Sequence, residues 1–231
     1  MLLDRTRVKK WQKLVFGFMV VIMVGFLVMI PLSGNLGCGG SSAEDQIAAE
    51  IAVYEASLKA SPEDVAALRG LGDTYVSRAN QQPQGSDAQR ADWGLAVEQY
   101  EKAVAVLARE KGADARGRQV EALKQVVEVH LMAAQVLAQD AALQDAALEE
   151  YQDASNVYGR ITVVQPKEAA SYFDWASIAI NAGDLNTALL AFSMFLELAP
   201  DSPDAPDVKQ WIEDNTPEST PSPSSTKASS L

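Results

Sequence analysis

The chain has one cysteine and one histidine in 231 residues. A disulfide needs two thiols, and a zinc site needs several Cys or His ligands, so one chain can build neither. Alternating strand-like runs bounded by turn residues are missing. Beyond residue 40 Ala is abundant and Val, Ile and Thr are few beside it. That balance favours helix over sheet. Motifs of chemistry are missing too: no G-x-x-x-x-G-K-[ST], no G-x-S-x-G, no H-E-x-x-H and no C-x-x-C. His130 falls beside Leu131 on a long helix edge and reads as a structural or exposed imidazole rather than a catalytic one. Glu149 and Glu150 are adjacent, so on a helix they diverge by about 100° and suit a solvated face better than acid/base work. These absences predict no catalytic residue, no cofactor and no metal.

Positive charge is missing from most of the chain. Arg5, Arg7, Lys9, Lys10 and Lys13 stand against Asp4 in residues 1–13, a net of +4, and the remainder has 14 basic and 30 acidic residues, a net of −16. An acidic body argues against nucleic acid, which demands a basic face.

Turning to what is there, residues 14–32, LVFGFMVVIMVGFLVMIPL, run 19 positions without a charge. As a helix the run spans about 28 Å, close to the hydrocarbon thickness of a bilayer. Basic residues precede it and none follows until Lys59, so the positive-inside rule places the N-terminus in the cytoplasm and the chain after Pro31 outside. Three readings compete. A cleaved secretory signal has a shorter apolar region and a small-x-small cleavage site, neither of which is clear here. An uncleaved signal anchor fits the length and is the favoured reading. The third is a lipoprotein. NLGCGGSS, residues 35–42, resembles a bacterial lipobox, because Gly37 precedes Cys38 and a Gly/Ser linker follows. That resemblance makes Cys38 the candidate lipidation site, although Asn35 stands where the family prefers Leu. The chain then divides into a cytoplasmic basic segment 1–13, a membrane-spanning anchor 14–32, a Gly/Ser linker 33–43, a helical domain 44–215 and a Ser/Thr/Pro tail 216–231 too polar to fold alone.

The helical domain repeats itself. From Ala169 as position 1, Tyr172 and Trp175 fall at 4 and 7, Ala176 and Ala179 at 8 and 11, and Gly183 at 15. Ala188, Phe192, Phe195 and Pro200 follow at 20, 24, 27 and 32. From Val65, Leu68, Leu71, Gly72 and Tyr75 fall at 4, 7, 8 and 11, and the matching second half carries Ala96, Tyr100 and Ala103. These positions resemble the tetratricopeptide repeat, a helix–turn–helix of 34 residues. The third copy departs from the family at positions 8, 11 and 27. Position 20 is small because the two helices cross closely there. The expectation for Phe192 and Phe195 is that they fill the gap toward the preceding pair. Asp184 is placed as an N-cap, and Pro200 ends the helix.

The other segments follow from the same frame. Gly72 to Ala96 is 24 residues where Ala176 to Ala188 is 12, so twelve residues are inserted at the first turn, and NQQPQGSDAQRA, 80–91, is the candidate loop. Ile51, Tyr54, Leu58 and Pro62 form a second half without a first, a capping helix over about 44–60. A stretched middle copy spans a helix over about 114–140 and a second helix with two equivalent trios. Of these, Ala154, Tyr158 and Ile161 join onto Ala169 through Pro166. A last helix carries Val208, Trp211 and Ile212 on its apolar face.

The resemblance implies an all-α, right-handed alpha-alpha superhelix: about three helix pairs with capping helices, behind one N-terminal transmembrane helix. It also implies binding. The family's concave positions 2, 5, 9, 12 and 13 carry over to Ala66, Arg69, Asp73, Val76 and Ser77 in the first copy, and to Ala170, Phe173, Ser177, Ile180 and Asn181 in the third. Phe173 reads equally as a packing residue. Arg69 stands almost alone beside Asp73, which disfavours the subgroup that grips a C-terminal carboxylate. The expected partner is a protein or peptide that the sequence does not identify, with the membrane as the second partner, and a homo-oligomer is compatible with the sequence. The function expected is a non-enzymatic, membrane-tethered scaffold in the bacterial envelope, with a chaperone-like accessory of protein export or envelope assembly as the alternative.

Overall fold

The computed structural model describes residues 42–216, and within them eight α-helices follow one another. They are α1 (Ala43–Ala60), α2 (Val65–Ala79), α3 (Asp87–Leu107), α4 (Ala113–Leu137), α5 (Gln144–Val164), α6 (Ala169–Asn181), α7 (Leu185–Leu198) and α8 (Ala205–Asn215), with a 3-10 turn Ala141–Leu143 before α5. No strand occurs among the described residues. The apolar run 14–32, Cys38 and most of the Ser/Thr/Pro tail lie outside them. Among the described residues no helix is long and apolar enough to cross a membrane.

Local signals set the helix ends. Ser42 and Asp45 form a reciprocal capping box on α1: the Asp45 N–H donates to Ser42 Oγ at 3.1 Å, and the Ser42 N–H donates to the Asp45 carboxylate at 3.0 Å. The Asp64 carboxylate accepts from the amides of Ala66 and Ala67 at the start of α2. Asp184 accepts from the Thr187 N–H at 3.0 Å at the start of α7. Gly183, between α6 and α7, has φ of +72°, in the left-handed region where a side chain is strained.

Each helix packs on its neighbours in sequence, as a tetratricopeptide-like solenoid requires: α2 on α3, α4 on α5, α6 on α7, with α1 leading and α8 closing. One apolar cluster runs through α2, α3, α4 and α5 and reaches Ile178 of α6. A second joins Tyr172, Phe192 and Phe195 to Val208 of α8. Aromatic rings lie against glycines where helices meet. A Cβ on Gly70 of α2 would lie 2.4 Å from the Tyr54 ring of α1, and one on Gly72 would lie 2.6 Å from the Tyr100 ring of α3.

Three expectations are revised. The twelve-residue insertion is not all loop. Only Asn80–Ser86 leaves the helix, and Asp87–Ala91 lengthens α3 by more than a turn. Buried polar contacts fix that extension. The Gln89 side chain donates to the Ala79 carbonyl at 3.1 Å and accepts from the Gly85 N–H at 2.9 Å, while Arg78 holds Asp92 through Nε and a terminal guanidinium nitrogen at 3.0 and 2.5 Å. Phe192 and Phe195 do not turn toward the preceding pair. Both lie edge-on to Phe173 of α6, and Phe192 lies edge-on to Trp211 of α8 at 5.0 Å. Trp175 bridges backward instead, its Nε1 donating to Ser155 Oγ of α5 at 3.2 Å beside Gly159. Glu150 is not simply solvated: its carboxylate lies 2.6 Å from His130 Nδ1 and clasps α5 to α4. The stretched copy is as expected, with α4 of 25 residues and α5 of 21. In it Ala154, Tyr158 and Ile161 are buried.

Candidate functional site

The helical spacing of α2 puts Arg69, Asp73 and Val76 one turn apart along one face. Asp73 and Val76 line an open cleft of about 300 Å³ between α2 and α4. Asn80 and the Tyr100 ring complete the α2 side, and α4 supplies Gln125, Glu128, Val129 and Met132. A polar chain crosses one end. Arg69 Nε donates to Gln125 Oε1 at 2.6 Å, Gln125 Nε2 donates to Asp73 Oδ1 at 3.3 Å, and Tyr100 OH donates to the same oxygen at 2.6 Å. Burial first, then the Asp73 hydrogen bond and charge, push the Tyr100 hydroxyl well above the usual phenol range. Tyr100 therefore stays neutral and donating. The arrangement ties α2, α3 and α4 together with an acidic wall facing the cleft.

The remaining carried-over residues divide. Ala66 and Ala170 are exposed. Ser77 is exposed and donates to its own helix at the Asp73 carbonyl, 2.9 Å. On α6, Phe173 is half-buried against Phe192 and Phe195, with ring centroids 5.7 and 5.3 Å away, and Ile180 packs into the same cluster. Ser177 donates to the Phe173 carbonyl at 3.0 Å, and Asn181 is exposed at the end of α6. None of these α6 residues lines the α2–α4 cleft. Residues on α4 that sequence reasoning did not assign complete it. Their signal is a stripe at Gln125, Glu128 and Met132, spaced three and four apart beside the apolar face.

Elsewhere, a cleft of about 470 Å³ is lined by Gln152, Asn156, Trp175, Asp184 and Thr187 among others. Hydrogen bonds from the Thr187 hydroxyl and backbone hold the Asp184 carboxyl below the usual range. A shallower cleft of about 650 Å³ combines Arg116 and Lys167 with Val163, which is 79% exposed. Among the described residues no group of three or more His, Cys, Asp or Glu side chains is placed to hold a metal ion. His130 and Glu150 form a half-buried pair that clamps two helices. Among the described residues no constellation of nucleophile, base and orienting group is assembled.

No family model matches the chain, and no curated protein matches it. Among solved structures, the chain is similar to that of YrrB, described as a TPR protein with an unusual peptide-binding site, at 16% identity over 73% of this chain and 86% of that one, with a TM-score of 0.25. It is also similar to the crystal structure of MamA protein, at 18% identity over 68% of this chain and 85% of that one, with a TM-score of 0.24.

Proposed function

We propose that the chain is a non-enzymatic scaffold, tethered to the bacterial cytoplasmic membrane by residues 14–32, with its helical domain outside the cytoplasm and a protein or peptide held in the α2–α4 cleft. The observation that carries the reading is that cleft: Asp73 and Val76, at positions the repeat uses for binding, face Glu128 and Met132 across an open groove. The tether rests on the sequence, through the uncharged 14–32 run and the five basic residues before it. Tethering raises the effective concentration of a weakly held partner. Cys38 is the lipidation site if the anchor is a lipoprotein signal.

A photo-crosslinking side chain placed at Val76 or Met132 of the full-length protein in cells tests this. Capture of one dominant envelope protein is the expected result. Capture of many unrelated secreted chains together with export machinery would replace the scaffold by a chaperone-like accessory. Protease added outside cells with an opened outer layer should digest the helical domain, and its full protection would overturn the outward orientation.

A further inference from the structure

The cleft does not end where the repeat's own binding positions end. A second cleft, of about 290 Å³, follows along α4. There the wall is Val136, Gln139 and Asp140. Val136 is one helical turn beyond Met132, so the two clefts succeed one another on one face of α4. The opposite wall of the second is Gln84, Gly85 and Ser86, from the insertion in the first copy, with Leu143 from the stretched copy. The insertion and the lengthened pair thus build a ledge together. A Cβ on Gly85 would lie only 3.3 Å from Leu143, which shows how closely the two extensions meet.

Three features of the lining point the same way. No Lys or Arg lines either cleft, and Arg69 stands at one end of the first, spent on Gln125. The acids are Asp73, Glu128 and Asp140; among the described residues neither Glu128 nor Asp140 takes part in an ion pair, and the side-chain partners of Asp73 are the neutral Gln125 and Tyr100. Between the acids stand Val76, Met132, Val136 and Leu143. The amides Asn80 and Gln84 offer both donors and acceptors, which is what an extended backbone needs from its neighbours, while Gln125 and Gln139 are already engaged with Arg69, Asp73 and the Gln135 carbonyl.

The geometry points to one continuous track along α4 and the turn that follows it, from Gln125 to Asp140, that takes an extended peptide bearing Lys or Arg side chains spaced by apolar ones. This rests on the binding reading above and names the chemistry of the partner. The helical part of the track, Gln125 to Leu137, is about 18 Å long at the helical rise, and the turn to Asp140 carries it further. An extended strand covers the whole with about seven residues. The acids receive the cations, the Val, Met and Leu side chains receive the apolar residues, and the amides receive the backbone.

The test is selection from a display library of random peptides, each about eight residues long to match the strand spacing, on the full-length protein in detergent micelles. Wild type should enrich peptides with spaced Lys or Arg and apolar residues between them. Their binding should weaken by about tenfold in the double variant Glu128→Gln, Asp140→Asn, and should fall with added salt. Asp201→Asn, in the loop before α8, should leave the selected pool unchanged. Enrichment of neutral or acidic peptides that still crosslink to residue 132 would keep the binding reading and overturn the cationic one. The same pool on wild type and on the double variant would also overturn it. No enrichment over empty micelles would overturn both.

Discussion

Gly72→Ala is a substitution for which two effects oppose and the structure decides the sign. Replacing a mid-helix glycine by alanine ordinarily stabilises by about 1 kcal/mol through helix propensity. Here the new Cβ would lie 2.6, 2.8 and 2.9 Å from three atoms of the Tyr100 ring. Carbon atoms pack at about 3.5–4.0 Å, so the ring must retreat by about 1 Å. It has little room, being 3% exposed and tethered by its hydroxyl to Asp73. Overpacking of this kind costs about 1–3 kcal/mol. Losing a hydrogen bond to a charged acceptor adds up to about 1.5–3 kcal/mol. A net destabilisation of about 2 kcal/mol follows once the propensity gain is subtracted, or about 4–8 °C in melting temperature for a domain of this size. Gly94→Ala on the exposed side of α3 is the internal control, because a Cβ there meets nothing within 4 Å. It should raise the melting temperature by about 1–4 °C. Thermal unfolding of the full-length protein, followed by far-UV circular dichroism, reads both. Removing the ring by Tyr100→Leu should flip the effect at residue 72 to stabilising, a non-additivity expected of residues in contact. If Gly72→Ala melts at or above wild type, the close seating of Tyr100 on α2 is wrong.

Ala188→Trp should overpack the fully buried face of α7 and cost about 1–3 kcal/mol, seen as a lower urea midpoint; an unchanged midpoint would sink the repeat register. Asp184→Ala should cost about 0.5–2 kcal/mol by loss of the α7 cap. Because hydrogen bonds from Thr187 lower the Asp184 pKa in the fold, its contribution is present at neutral pH and lost as pH falls through the folded value. Asp184→Asn should therefore keep the cap and flatten the acid limb of a stability titration. Tyr158 is the opposite case: burial, then the Asp174 hydrogen bond and charge, raise its pKa, so its contribution is full below about pH 10 and is lost above it. Tyr158→Phe should destabilise near neutrality by about 1.5–3 kcal/mol and reduce the alkaline loss, as urea unfolding across pH would show.

Much of this architecture is written locally. Asp184 announces a helix start, Gly183 and Pro200 announce ends, and the small residues Ala96, Ala154 and Ala188 mark close packing, all at spacings that the backbone obeys. What was not legible depends on contacts between distant residues. The insertion reads as loop because Asn80 to Ala91 is polar, yet Gln89 and Asp92 are buried by partners at Ala79 and Arg78 that only the fold supplies. Phe192 and Phe195 have the periodicity of a core face, but periodicity does not say whether the face looks back to α5 or forward to α8. Half of the cleft was legible through Asp73 and Val76. The other half was not, because α4 belongs to the stretched copy, whose length breaks the position-by-position comparison that located the first half.

The two apolar clusters have a consequence for how the protein yields. The larger runs unbroken from α2 to α5, whereas Tyr172, Phe192, Phe195 and Val208 form a smaller island around α6, α7 and α8, linked backward through Trp175 and Ile178. In an array where each helix packs mainly on its neighbours in sequence, opening begins where the fewest contacts must be given up. By that measure both ends should open first: α1 has Ile47 alone buried, and the α6–α8 island is small. The last pair can peel and reseal while α2, α3 and α4, with the acidic track between them, remain closed.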